Sequence, residues 1–403
     1  MEDASFESIY RTSQGLVRRV DTDIHRYLYD KINWDNWLIA IKGARGVGKT
    51  TLVLQHIREA FGEESPEKAL YVSLDNMWFA NHTLSELVEY HYTHGGTHIF
   101  LDEVHRYPHW QTVVKNISDE YPDLHIVYTG SSMLRIDRHE GDLSRRQLTY
   151  TMHGLSFREF MMFENGVDWP LLPLKELLAD HVKVAMSLTA EVRVLQYFER
   201  YLHYGYYPFY KRDKDGFEDR LQAVVRTVLT DDLPAVEDVT YATQQKVMRM
   251  LMILAERVPQ TPKMNELYAA LETNREQGLR MLSILQRAAL LQTLSSKAKN
   301  VRGLAKPDKI YLNNPNLMCA LSPKSDVGTL RETFFLNQLD AVADVKYPTQ
   351  GDFLVDDKYL FEVGGKGKSF DQIKDIPDSF LAVDGIETGH RNRIPLWMFG
   401  LLY

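Results

Sequence analysis

Gly43-Ala44-Arg45-Gly46-Val47-Gly48-Lys49-Thr50-Thr51 fits the pattern G-x-x-x-x-G-K-[ST], and its neighbours on both sides decide the fold. The apolar run at residues 37–41 reads as a strand leading in, and residues 51–57 read as a helix leading out. Glycines 43, 46 and 48 let the backbone wrap so that successive N–H groups point inward. The start of the helix adds partial positive charge where phosphates would sit. In this pattern the whole stretch from Gly43 to Thr51 cradles a nucleotide. Lys49 reaches the β- and γ-phosphates, and Thr50 ligates magnesium.

Around that loop, short apolar runs at residues 37–41, 69–74, 98–101 and 124–129 alternate with helix-length segments. This alternation predicts a parallel sheet covered by helices, an α/β fold in which ligands bind at the carboxyl ends of the strands. The residues just after each run are therefore the ones to inspect. After His98-Ile99-Phe100-Leu101 come Asp102 and Glu103. Phosphoryl transfer to water needs a carboxylate to hold magnesium, here Asp102, and a second to orient and deprotonate the water, here Glu103. The run at 125–129 leads into Gly130-Ser131-Ser132. Ser131 is either a sensor of the γ-phosphate or simply part of a serine-rich strand exit.

At 403 residues the chain is long enough for two to four domains. Its apolar fraction of 44% and charged fraction of 25% are those of a chain that folds into an ordinary core. A single cysteine, Cys319, excludes an internal disulfide and a cysteine-cluster metal site, which fits a reducing compartment. The first residues, Met1-Glu2-Asp3-Ala4-Ser5-Phe6-Glu7, are acidic where a secretory signal is basic and then apolar. No apolar run approaches the roughly 20 residues of a membrane span. The expectation is a cytoplasmic protein with no membrane partner. A net charge of −8 argues against a protein that coats nucleic acid over its whole surface.

The loop, the strand ending in Asp102-Glu103, Thr129-Gly130-Ser131-Ser132, Asp142-Leu143-Ser144-Arg145-Arg146 and Gly154-Leu155-Ser156-Phe157-Arg158-Glu159-Phe160 occur in a specific order. In that order they resemble the prokaryotic AAA-superfamily P-loop ATPases that carry a winged-helix segment and a C-terminal restriction-endonuclease-like domain. The resemblance implies ATP and magnesium as cofactors. It also implies an arginine that contacts the γ-phosphate in cis or from a neighbouring subunit of a homo-oligomer. Arg146 or Arg145 matches that position, though both also fit as surface arginines. ATP is expected over GTP, because no Asn-Lys-x-Asp follows the sensor strand.

The expected organisation is a helical lead-in over 1–32, with its helix at 23–32, and an ATPase domain over 33–152. A helical region over 153–243, a basic winged-helix-like domain over 244–322 and a restriction-endonuclease-like domain over 323–403 follow. The tyrosine-rich turn Tyr204-Gly205-Tyr206-Tyr207-Pro208 reads as interface or core packing rather than as a base-stacking platform. Residues 244–321 hold 12 basic and five acidic residues, a local charge of +7. Three helix-like runs, a polar basic hairpin at 295–307 and a strand at 309–312 come in winged-helix order. Arg275, Gln277 and Arg280 fall near the start of the third helix, and Lys297, Lys299 and Arg302 on the wing. DNA contact and a purely inter-domain role both fit.

The last segment begins with a helix-like run at 330–341, followed by strands at 351–355 and 359–363 that form a hairpin. Asp352 and Glu362 match the metal-holding carboxylates of a restriction-endonuclease core. Gly364, however, stands where the family has its lysine, and Lys366 is the nearest substitute in sequence. Two functions follow for the whole chain. One is a magnesium-dependent ATPase that drives a DNA-acting C-terminal half, with cleavage by the C-terminal site left open. The other is a slow-hydrolysing assembly switch with a degenerate nuclease-like domain.

Overall fold

In the computed structural model, residues 2–62, 64–131, 146–190, 192–256, 263–296, 306–322 and 326–403 are described. They pack as two units. The first comprises Met1–His153 together with Thr230–Asp238, and the second Gly154–Leu229 with Val239–Tyr403.

The first unit is built on a five-stranded parallel sheet in the order β2-β3-β4-β1-β5. Its strands are β1 (Leu38–Gly43), β2 (Ala69–Ser73), β3 (His98–Asp102), β4 (His125–Ser131) and β5 (Leu148–Met152). The helices α1 (Glu2–Arg19), α2 (Lys49–Ala60), α3 (Leu84–Thr93) and α4 (Trp110–Glu120) belong to the same unit. Four of the strands are nearly continuous apolar runs because a parallel sheet is covered on both faces, so alternation is lost. The fifth strand was not among the expected runs. Leu148-Thr149-Tyr150-Thr151-Met152 is an edge strand, largely exposed, and its mixed composition gives no apolar run to find.

The lead-in helix lies elsewhere than expected. It is α1, at Glu2–Arg19, and residues 23–32 contain only a helical turn at Tyr29–Lys31. Helical spacing puts Phe6, Ile9 and Tyr10 of α1 against the core of the unit. The following stretch is held by side chains instead of by its own helix. Gln55 of α2 donates to the carbonyls of Asp21 (2.7 Å) and Ile24 (3.0 Å). Arg26, itself buried, donates to the carbonyls of Val47 and His153.

The second unit starts with α5 (Phe157–Asn165), whose N-terminus is a reciprocal capping box. Ser156 accepts from the Glu159 N–H, and Glu159 accepts from the Ser156 N–H (3.2 and 3.0 Å). The Ser156 hydroxyl also donates to the Tyr403 carbonyl at 2.8 Å. The tyrosine-rich turn is core. Tyr201, Tyr206, Tyr207 and Tyr210 are buried, and Asn316 closes the turn through the Tyr206 N–H and the carbonyls of Tyr201 and Leu202.

Helices Tyr241–Ala255, Met264–Ala270 and Arg275–Arg287 precede an antiparallel pair, β6 (Leu291–Leu294) and β7 (Lys309–Leu312). The unit ends in a mixed sheet of order β12-β11-β10-β9-β8. Its strands are β8 (Val345–Lys346), β9 (Phe353–Val355), β10 (Tyr359–Gly364), β11 (Ser379–Val383) and β12 (Arg393–Pro395). β9 and β10 form the expected hairpin, while β10, β11 and β12 run parallel. Phe335, on the helix Val327–Asp340, fills this core against Phe353, Phe361 and Phe399, with ring centroids 4.7–5.0 Å apart.

Candidate functional site

At the carboxyl end of β1 the chain turns through Gly46 (φ 86°) and Gly48 (φ 103°), a left-handed backbone that other residues rarely adopt. Gly43 is required for a different reason: a Cβ there would stand 2.4 Å from the Met152 carbonyl oxygen of β5. No side chain caps the helix start at Gly48. The N-cap residue thus offers the first amides of α2 no side-chain acceptor, as suits an anion-binding turn. Lys49 is buried and donates to the carbonyls of Gly43 (2.9 Å) and Ala44 (3.1 Å). Burial lowers its pKa, and the nearby carboxylates of Glu103, Asp102 and Asp232 counter that.

Asp102 closes β3 and is the hub of the site. Its Oδ2 accepts from Thr50 (2.6 Å) and from the Tyr71 hydroxyl (2.7 Å), and its Oδ1 accepts from Thr129 and from the Glu103 N–H (3.1 Å). Sheet order explains the convergence: β4, which carries Thr129, lies between β1 with its loop and β3 with Asp102. Burial and Asp102 together hold the Tyr71 hydroxyl far above its ordinary range, so it stays a donor. Glu103 takes a left-handed backbone (φ 55°), unusual for a non-glycine residue and of the kind that collects at functional sites. Ser131 is buried at the end of β4, paired in register with Gly43.

Sequence reading missed a second tier. His105 is buried, and its Nε2 lies 3.3 Å from Glu103 Oε2 and 3.5 Å from Asp232 Oδ1. Arg45 of the loop reaches Asp232 Oδ1 at 3.2 Å and Arg106 reaches it at 2.6 Å. No local signal marks Asp232, which stands 187 residues from Arg45 in a helical stretch. Arg146 pairs with Asp119 of α4. Arg145 lies outside the described residues, as do Lys297, Lys299 and Arg302 of the expected wing.

The C-terminal pair is brought together by the β9–β10 hairpin. Asp352, just ahead of β9, accepts from the Val363 N–H at 3.0 Å, and Glu362 is buried on β10. Burial raises the Glu362 carboxyl, Lys368 pulls it back, and Asp352 adds to the rise. The ammonium placed beside Glu362 is that of Lys368, at 3.8 Å from Oε2. Lys366 packs over Gly385 instead, its Cε 3.0 Å from where a Cβ on that glycine would stand. Gly364 makes room for Lys368: a Cβ at Gly364 would lie 2.7 Å from Cβ and Cγ of that lysine. Among the described residues, no three His, Cys, Asp or Glu side chains gather as a metal site.

Residues 35–161 match a family model described as an AAA domain, and residues 195–328 match one described as a domain of unknown function. The sheet of the first unit is thus similar to an AAA domain, in line with the resemblance read from its motifs. An uncharacterized protein of Methanocaldococcus jannaschii is 26% identical over 288 residues, which is 68% of this chain and 60% of that one. Among solved structures, AMPPCP-bound DnaA from Aquifex aeolicus is 16% identical, covering 69% of this chain and 88% of its own, with a TM-score of 0.28. PCH-2 of C. elegans is 15% identical over 44% of this chain and 47% of its own, with a TM-score of 0.23. No described helix is long and apolar enough to cross a membrane.

Proposed function

We propose that the protein is a magnesium-dependent ATPase whose first unit binds ATP in the loop Gly43 to Thr51 and hydrolyses it with Glu103. One observation carries the reading: the Thr50 hydroxyl and the Asp102 carboxylate meet at 2.6 Å, directly beside Lys49 and Glu103 in sequence. A hydroxyl and a carboxylate so placed are hard oxygen donors, which fit magnesium. Bound there, the ion would neutralise charge developing on the phosphates.

The chain's own residues supply the rest. The α2 amides and Lys49 hold the phosphates. Glu103 orients the attacking water and takes its proton, while Thr129 and Tyr71 fix the Asp102 carboxylate. Lys49 acts in binding and in the transition state, whereas Glu103 acts on the water alone, so their variants should fail differently. Lys49→Ala is expected to lose ATP binding; Glu103→Gln is expected to bind ATP and hydrolyse it at least 100-fold more slowly. Undiminished turnover in Glu103→Gln removes the assignment.

For the second unit we favour a partner role over cleavage. Three helices followed by the β6–β7 pair support a winged-helix reading, with Arg275 and Arg280 on its third helix as the residues to contact DNA. Asp352 and Glu362 support a restriction-endonuclease-like reading. Gly364 at the lysine position and the raised Glu362 carboxyl favour a degenerate site, hence nucleotide-driven assembly or DNA binding without cutting. ATP turnover and oligomer size measured with and without duplex DNA separate the two. Stimulation by DNA supports action on DNA, and slow turnover with ATP-dependent assembly supports the switch.

A further inference from the structure

One carboxylate is surrounded by cations that come from both halves of the nucleotide site. Asp232 is 1% exposed. Arg45, in the phosphate loop after β1, donates to Oδ1 and Oδ2 at 3.2 and 3.3 Å. From the turn after β3, Arg106 donates to Oδ1 at 2.6 Å and to the neighbouring Asp231 carbonyl at 3.4 Å. His105 of the same turn places Nε2 between Asp232 Oδ1 (3.5 Å) and Glu103 Oε2 (3.3 Å).

β1 and β3 are not neighbours, since β4 runs between them. Nothing in their backbone pairing sets the distance between the loop and the Glu103 turn directly. Asp232 links the two. Its segment is anchored for the purpose: Leu233 is fully buried, and Val236 packs on the core of the first unit. A buried carboxylate would ordinarily be disfavoured by loss of water, yet this one is held below the usual carboxylate range. Burial pushes its pKa up, and His105, Arg45 and Arg106 outweigh that.

We propose that Asp232 is a positioning residue for ATP hydrolysis: through Arg45 on one side and His105 on the other, it fixes the phosphate loop relative to Glu103. In this role it acts through Arg45 and His105 rather than on phosphate or water directly. Removing its charge while keeping its shape should therefore leave nucleotide binding in place and misplace the base. Misplacement by about 1 Å of a group that acts in the chemical step costs on the order of 10²-fold in rate.

This inference rests on the ATPase reading, and the test separates the two. Steady-state ATP turnover is measured for the wild type, Asp232→Asn, His105→Gln and the double variant, alongside binding of a fluorescent ATP analogue and thermal melting. The expected result is a kcat at least tenfold lower in Asp232→Asn, with KM within threefold and analogue binding retained. The double variant should be no slower than the slower single, because both changes break one chain of contacts. The inference is overturned by a kcat within twofold of wild type, by a loss confined to KM, or by losses that multiply in the double variant. Should Asp232→Asn fail to fold, His105→Gln decides alone: a tenfold loss in kcat supports the proposal and a wild-type kcat overturns it. A wild-type chain that neither binds nor hydrolyses ATP sinks the ATPase reading itself and this inference with it.

Discussion

Gly43 carries a constraint unrelated to the nucleotide. Most loop glycines are exchanged at the expense of backbone freedom, but here an added Cβ collides at 2.4 Å with a backbone oxygen of β5, which cannot rotate away. Gly43→Ala is expected to lower stability by about 1–3 kcal/mol, the usual effect of overpacking, as read by urea denaturation. If stability is unchanged, β5 yields more easily than its pairing with β1 implies. At this scale the sequence was most informative for Lys49, Thr50, Asp102 and Glu103. Their motif spacings are local, and the structure puts Thr50 and Asp102 in contact. It was silent on Tyr71, His105 and Asp232, whose positions depend on which strands and segments lie side by side.

The elements were legible where periodicity was strong. β1 to β4 and the β9–β10 hairpin appear within a residue or two of their expected places. β5 was missed because an exposed edge strand carries no apolar run. The helix expected at 23–32 is only a turn at Tyr29–Lys31: Gln55 takes the Ile24 carbonyl, and Arg26 is turned inward to the carbonyls of Val47 and His153. On the β9–β10 hairpin two carboxylates are held close, and Lys368 reaches one of them from beyond Gly364. A lysine arriving from that direction would compete with any metal for Glu362. Weak manganese binding, lost in Asp352→Ala and detectable by calorimetry, is therefore expected, with no cleavage of duplex DNA. Robust metal-dependent cutting abolished by both Asp352→Ala and Lys368→Ala would show the site to be active.

For the molecule as a whole, acid should weaken the parallel-sheet unit through its buried histidines. Burial dominates at His56, His91 and His98, and it pushes each down to about 4. An unfolded histidine takes up its proton near pH 6.5. The folded unit refuses that proton until the pH is far lower, so its stability is complete above about 6.5 and falls as the pH drops from there toward 4. Melting temperatures at pH 7.5, 6 and 5 should decline in that order, and His91→Gln should flatten the decline. A stability that rises over this interval contradicts the assignment of these rings as neutral.

The placement of Thr230–Asp238 in the first unit has a temporal consequence. A ribosome adds about 5–20 residues per second, so the stretch from 154 to 229 takes roughly 4–15 s to make after β5 has emerged. During that interval Arg45 and Arg106 are present without the carboxylate that joins them. On the proposed reading, the nascent phosphate loop is made before the residue that would align it with Glu103, and full turnover would follow only once Asp232 has left the exit tunnel.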